Sequence, residues 1–126
     1  MKLLLADDEP DMIRALSAIL THEGYKVDAV YDGAEALEKA ASVSYDGLIL
    51  DIMMPELSGI EASKEIRRIS SAPILFLTAR TQEQDKLEAY QSGGDDYLAK
   101  PFSHAELMMK VESLLRRYRV SKGKTS

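Results

Sequence analysis

The chain has 126 residues, a formal charge of -5 and no cysteine. That fits one domain with a single sizeable core, excludes disulfides, thiol catalysis and cysteine metal sites, and argues against general nucleic-acid affinity, which rests on neutralising phosphates with Lys and Arg. No apolar run approaches the ~20 residues that span a bilayer; the longest is Ala72 to Leu77, and the start, Met1 to Ala6, meets an acidic cluster before a signal-peptide core could form, so a cytoplasmic protein with no membrane partner is expected.

Strand-like and helix-like patterns alternate five times, the signature of a doubly wound parallel sheet with helices on both faces. The first strand is expected at about Lys2 to Asp7. Pro10 then stands where a first helical turn tolerates a missing N–H, and Ile13, Leu16 and Leu20 form the buried stripe of a helix closed near Gly24. The second strand, Lys26 to Tyr31, alternates Val27, Ala29 and Tyr31 against Asp28. Asp32 and Glu35 make a capping box for the next helix, whose small apolar face is expected at Ala34, Leu37 and Ala41.

The third strand is Gly47-Leu48-Ile49-Leu50-Asp51, an apolar run delivering one acid to the rim of a sheet before the chain turns at Pro55. A helix from about Ser58 should turn Ile66 and Ile69 inward and carry Glu61, Lys64, Glu65, Arg67 and Arg68 on a solvated face. Pro73 opens the fourth strand, which runs into Thr78. A helix at about Gln82 to Gln91, anchored by Leu87 and Tyr90, is the most polar of the set and so the most weakly held. Gly93-Gly94 closes it, and a fifth strand ends in Lys100-Pro101. Ser103 and Glu106 form a second capping box for a last helix with Leu107, Val111, Leu114 and Tyr118 on one face. Residues 1–119 form the domain on this reading. Residues 120–126, polar and unpatterned, are a frayed tail or the start of a linker.

If the strands are parallel, their polar endings gather at the carboxyl edge of one sheet, where open α/β folds place ligands. Asp7, Asp8, Asp51, Thr78 and Lys100 then share one shallow site. Three ionised carboxylates repel one another unless a cation offsets them, and Mg²⁺ suits such oxygen ligands; zinc does not, since the rim lacks His and Cys. Lys100 beside a cation is unfavourable unless an anion lies between them. A phosphoryl group is that anion: Mg²⁺, Lys100 and the Thr78 hydroxyl bind its oxygens, and Asp51 is placed as the attacking carboxylate. No general base is aimed at water, so the chemistry reads as accepting a phosphoryl group rather than turning it over. The plainer alternative is that Asp7 and Asp8 cap the first helix and Asp51 turns a corner.

Four motifs carry a family resemblance: Asp7-Asp8-Glu9-Pro10, Asp51-Ile52-Met53-Met54-Pro55, Leu77-Thr78-Ala79-Arg80, and Gly93-Gly94-Asp95-Asp96-Tyr97-Leu98-Ala99-Lys100-Pro101-Phe102. In that order and spacing they resemble a receiver domain of a two-component response regulator, over residues 1 to about 119. The resemblance implies a flavodoxin-like fold of five parallel strands in the order 2-1-3-4-5 with five helices. It implies Asp51 as phosphoacceptor, a histidine kinase as donor, and Mg²⁺ held by Asp8, Asp51 and the Met53 backbone carbonyl, with Asp7 through water. Slow autodephosphorylation goes with such domains, Met53 and Arg80 standing where its rate is tuned. A cis Lys100-Pro101 bond and a switch coupling Thr78 to the Tyr97 ring follow from the same resemblance.

The chain is most similar to the subgroup with a winged-helix DNA-binding output. Those regulators dimerise through the fourth helix, fifth strand and fifth helix, with charges at fixed places. Here Lys86 with Glu106, Asp95 with Lys110, and Asp96 with Arg117 match three pairs in sign, whereas Gln91 and Glu112 depart from the fourth. An ordinary solvated charged face is the alternative. The basic run Arg116, Arg117, Arg119, Lys122 and Lys124 is explained by the dipole at a helix C-terminus, so DNA contact is expected only through a C-terminal domain outside this sequence. His22 and His104 read as surface residues. Other functions to weigh are a stand-alone receiver acting by protein contact, an FMN-binding electron carrier, for which Asp7-Asp8-Glu9-Pro10 is electrostatically hostile, and an aspartyl-phosphate phosphatase, which usually has a second Asp where this chain has Met53.

Overall fold

Three apolar runs, β1 (Lys2–Ala6), β3 (Gly47–Asp51) and β4 (Ile74–Ala79), occupy the middle of one parallel sheet, and the more polar β2 (Lys26–Val30) and β5 (Asp96–Lys100) form its edges. The structure is a computed structural model and describes residues 1–79 and 94–124. The order is β2-β1-β3-β4-β5, with Leu5 opposite Ala29 and Ile49, and Asp51 opposite Leu77. Parallel strands buried on both faces need apolar residues at every position, and β3 is buried from Gly47 to Asp51.

Helices α1 (Pro10–His22), α2 (Gly33–Ser42), α3 (Gly59–Ile66) and the C-terminal helix (His104–Lys124) cover the two faces. Alternate strand residues divide the core accordingly. Leu4, Leu50, Ile74 and Phe76 pack with Ala36, Ile60 and Ile66 of α2 and α3. Leu3, Leu5, Ile49 and Leu75 pack with Ile13 and Leu16 of α1 and with Leu107, Val111 and Leu114 of the last helix. Each fully buried leucine contributes ~1.5–3 kcal/mol relative to exposure. Helix α1 starts with Pro10 in its first turn and ends at Gly24, whose φ is 98; the Tyr25 N–H reaches the Leu20 carbonyl and the Gly24 N–H that of Thr21, the paired bonds that close a helix through a left-handed residue.

Several expectations need correction. On β2 it is Val30 that is buried, with Ala29 and Tyr31 exposed, because an edge strand is covered only where α1 and α2 reach it. Asp28 faces the α2 side, half-buried, and accepts a 2.7 Å hydrogen bond from the Tyr45 hydroxyl; burial, then that carboxylate, hold the phenol well above its ordinary pKa. The buried face of α2 runs through Gly33, Ala36, Leu37 and Ala40, and Ala34 and Ala41 are exposed. Ile69 is 53% exposed, since α3 ends at Ile66 and the chain has left the helix before it. Arg67 does not belong to the solvated face. Its guanidinium donates to the Ala72 carbonyl at 2.6 Å and to Asp95 Oδ2 at 2.9 Å, and that oxygen also accepts the Ile74 N–H. The last helix has its end at Lys124, so residues 120–124 continue it. The helix expected at Gln82–Gln91, with Lys86, Leu87 and Tyr90, lies outside the described residues, as do Arg80 and Gly93.

Candidate functional site

The strand order reverses direction between β1 and β3, and ligands of open α/β sheets bind above such a switch point. Asp7 follows the last residue of β1, and Asp51 ends β3 beside it. Both are buried, Asp7 at 0% and Asp51 at 4% exposure. They are held in the same way: Asp7 Oδ1 accepts the Glu9 N–H at 3.0 Å and Asp51 Oδ1 accepts the Met53 N–H at 3.0 Å. A carboxylate at a strand end that bonds the amide two residues on turns the chain and fixes its own rotamer.

The second oxygen of each acid meets Lys100. Its Nζ lies 3.1 Å from Asp7 Oδ2 and 2.9 Å from Asp51 Oδ2, with Glu9 Oε1 at 3.7 Å. Lys100 ends β5, two strands from β3, and a cis Lys100-Pro101 bond follows it. Asp7, Asp8, Glu9 and Asp51 each offer one oxygen, all within 4.8 Å of one another, against the ammonium of Lys100. Asp8 and Glu9 are exposed and line an open cleft with Met12, Asp51, Met53, Lys100 and Pro101.

The electrostatics follow from this crowding. The Asp51 carboxyl stands at about 6: burial raises it most, the Lys100 hydrogen bond pulls it down, Asp7 pushes it up, and the Lys100 charge and the Met53 amide lower it. Burial alone would lower Lys100, yet the hydrogen bond and charge of Asp51, and then Asp7, raise it above its ordinary value. The ammonium therefore stays charged. A donor set of four carboxylates, with no His or Cys in it among the described residues, fits Mg²⁺.

The loop after Asp51 is shaped closely. Gly59 opens α3 directly over the strand end, where a Cβ would lie 2.2 Å from the Asp51 carbonyl oxygen, and its N–H donates to the Ile52 carbonyl at 3.1 Å. Ser58 and Glu61 cap α3 reciprocally. Just before this cap, Glu56 has a φ of 64, and the Leu57 N–H reaches the Pro55 carbonyl at 2.7 Å, a positive-φ γ-turn that costs a non-glycine residue ~1–3 kcal/mol.

Of the residues singled out from the sequence, Asp7, Asp51 and Lys100 touch, Asp8 joins them at the cleft, and Met53 is exposed on its rim. Thr78 is buried at the end of β4, one residue beyond Leu77, the register partner of Asp51. Tyr97 is half-buried on β5 with Lys110 Nζ 6.0 Å from its ring centre. Lys86 lies outside the described residues; the other charges expected on a partner face are engaged within the chain. Lys110 Nζ holds both oxygens of Asp96 at 3.1 and 3.0 Å, with Arg117 4.0 Å from the same carboxylate. Asp95 is turned to Arg67 rather than toward Lys110, and Glu106 accepts the Ser103 N–H in its capping box. The sequence reading gave no role to Glu9 or Met12, although Glu9 directly continues the acidic pair. His22 and His104 are exposed, as expected; His104 Nε2 lies 3.7 Å from Glu23. Among the described residues no helix is long and apolar enough to cross a membrane.

Comparison with known proteins agrees with this geometry. Residues 3–112 match the family model described as the response regulator receiver domain. The response regulator ArlR of Staphylococcus aureus strain Mu50 is 42% identical over 116 residues, 92% of this chain and 53% of that protein, so the chain spans about half the length of the curated relatives it matches. A two-component response regulator from Clostridium difficile superposes with a TM-score of 0.88 at 36% identity, over 93% of this chain and 97% of that one. The receiver domain of a sensor histidine kinase from Pseudomonas aeruginosa PAO1, solved with magnesium coordinated in its active-site cleft, gives 0.84 at 36% identity over 90% and 96%.

Proposed function

Because this chain belongs to the response regulator receiver domain family, we propose that it is a phosphorylation-activated switch whose Asp51 accepts a phosphoryl group from a histidine kinase. An Asp51 carboxylate oxygen forms the new O–P bond as the P–N bond of the donor phosphohistidine breaks, the imidazole leaving with its electron pair. With an ordinary value shifted only to about 6, Asp51 is largely ionised at neutral pH and able to attack. The observation that carries the reading is Lys100 bridging Asp51 and Asp7 from two strands away. That ammonium stands where an arriving phosphoryl oxygen needs a counter-charge, and no other cation contacts these acids among the described residues.

Asp8, Asp51 and the Met53 carbonyl would hold Mg²⁺, Asp7 through water; when bound, the ion neutralises the charge that builds on the phosphoryl oxygens. The chain's own groups do the rest. The Met53 N–H and Lys100 fix the two oxygens of Asp51, so attack needs no rotamer search. Thr78 supplies a hydroxyl from the adjacent strand, and its movement toward the phosphoryl group would be answered by Tyr97. On this reading the output is dimerisation through the face that includes β5 and the C-terminal helix, and DNA binding by a further domain; a stand-alone receiver acting by protein contact is the alternative. Incubation with Mg²⁺ and acetyl phosphate should add one phosphoryl group by intact mass; equal labelling of Asp51→Ala would overturn the assignment.

A further inference from the structure

The loop that carries Met53 is braced from two sides, and only one of them is α3. Besides the contact of Gly59 with the Asp51 carbonyl, Gly33 at the start of α2 lies against the carbonyl of Leu57: a Cβ at position 33 would be 1.9 Å from that oxygen and 2.7 Å from its carbon. These are backbone atoms, so no side-chain rotation could make room. Gly33 is buried and rigidly placed, since Asp32 Oδ1 accepts the Glu35 N–H at 2.8 Å and Glu35 Oε1 accepts the Tyr31 N–H at 3.0 Å. Leu57 in turn closes the positive-φ turn at Glu56. That conformation persists only where its surroundings hold it.

We infer that Gly33 is a positioning residue of the phosphoacceptor site: the first turn of α2 is the wall that holds the β3–α3 loop, and with it the amide and carbonyl of Met53, in register with Asp51. The inference rests on the Mg²⁺ role proposed for the Met53 carbonyl. Nothing in the acidic cluster itself points to α2; the link runs through the backbone contact at Leu57. A side chain at position 33 must displace either α2 or the loop, and the loop is the strained partner.

The test is a Mg²⁺ titration of the ¹⁵N-labelled chain, comparing wild type, Gly33→Ala and Ile66→Val, the last a core truncation in α3 remote from the loop contact. Loss of a group that positions a metal ligand commonly costs about tenfold or more in affinity, so Gly33→Ala should bind Mg²⁺ about tenfold more weakly while Ile66→Val stays close to wild type. Equal affinity in Gly33→Ala and wild type, or an equal loss in Ile66→Val, would overturn the inference. Should Gly33→Ala fail to fold, the wild-type spectrum decides: the Gly33 amide resonance should shift on Mg²⁺ saturation, and a stationary Gly33 signal would refute the coupling. A wild-type chain that binds no Mg²⁺ would bring down the site reading and this inference together, whereas binding with unaffected variants would bring down the inference alone.

Discussion

Replacing Asp51 by Asn should make the metal-free protein more stable at neutral pH while abolishing its phosphorylation. Burial, reinforced by Asp7, raises the Asp51 carboxyl from 3.8 to about 6 despite Lys100 and the Met53 amide. At 1.36 kcal/mol per unit, that shift corresponds to up to ~3 kcal/mol. The folded value lies above the unfolded one, so between pH 3.8 and about 6 the native state keeps a proton that the unfolded chain has released. Stability is therefore higher below this window and falls as pH rises through it. Asn keeps the size of the side chain and cannot ionise. In EDTA at about pH 7.5 the variant should gain up to ~3 kcal/mol, and for a chain of this length each kcal/mol moves Tm by ~4 °C. Melts followed by circular dichroism at about pH 7.5 and pH 4.5 should show a gap that narrows at the lower pH, where the native wild-type carboxyl is protonated and only the unfolded chain is ionised. Saturating Mg²⁺ should also narrow it, since only wild type retains the full ligand set. A variant that melts at or below wild type in EDTA at neutral pH, or a gap independent of pH, would refute the reasoning.

Lys100→Met should lower metal-free stability by ~3–5 kcal/mol, because removing one partner leaves buried carboxylates uncompensated; Mg²⁺ should restore most of the loss in melts, yet acetyl phosphate should no longer label the chain efficiently. Arg67→Ala should cost ~1.5–3 kcal/mol in chemical denaturation, the value of a hydrogen bond to a charged group, and leave Asp95 Oδ2 with the Ile74 N–H alone of the two donors it now shares; a change within error would mean that the Arg67 bonds are exchanged for water at no cost.

The sheet was legible because its central strands are apolar at every position, a pattern that survives without knowledge of partners. Leu48-Ile49-Leu50 must be buried on both faces, and the acid that follows must stand at an edge. Edge strands and short helices carry less information. On β2 the alternation of Val27, Ala29 and Tyr31 suggested one buried face, but which face is covered depends on where α1 and α2 end, and Val30 was the residue enclosed. In α2 the small residues are spaced so that a face through Ala34 and Ala41 looks as apolar as one through Ala36 and Ala40. Only Gly33, which has to pass a backbone carbonyl, fixes the rotation. Arg67 was misplaced for a related reason: helical spacing puts it outward, but α3 stops at Ile66 and the side chain turns back to Ala72 and Asp95.

The acids of the site were readable as strand endings, and Lys100 as the counter-charge. What strand ends cannot convey is that the ammonium already contacts the acids. Under the proposed function this has a consequence for how the signal leaves the site. A phosphoryl group on Asp51 competes with Asp51 and Asp7 for Lys100, so its arrival changes the forces on the end of β5. The same strand begins with Asp96, clamped by Lys110 and close to Arg117, and continues through Tyr97, whose ring lies 6.0 Å from Lys110 Nζ. Five residues thus join the reacting carboxylate to the charges expected on the partner face. The described ones among those charges are paired within the chain, the Lys110–Asp96 pair partly buried. Under the proposed function, a partner copy that claims these charges has to displace the internal Lys110–Asp96 and Arg117–Asp96 pairs.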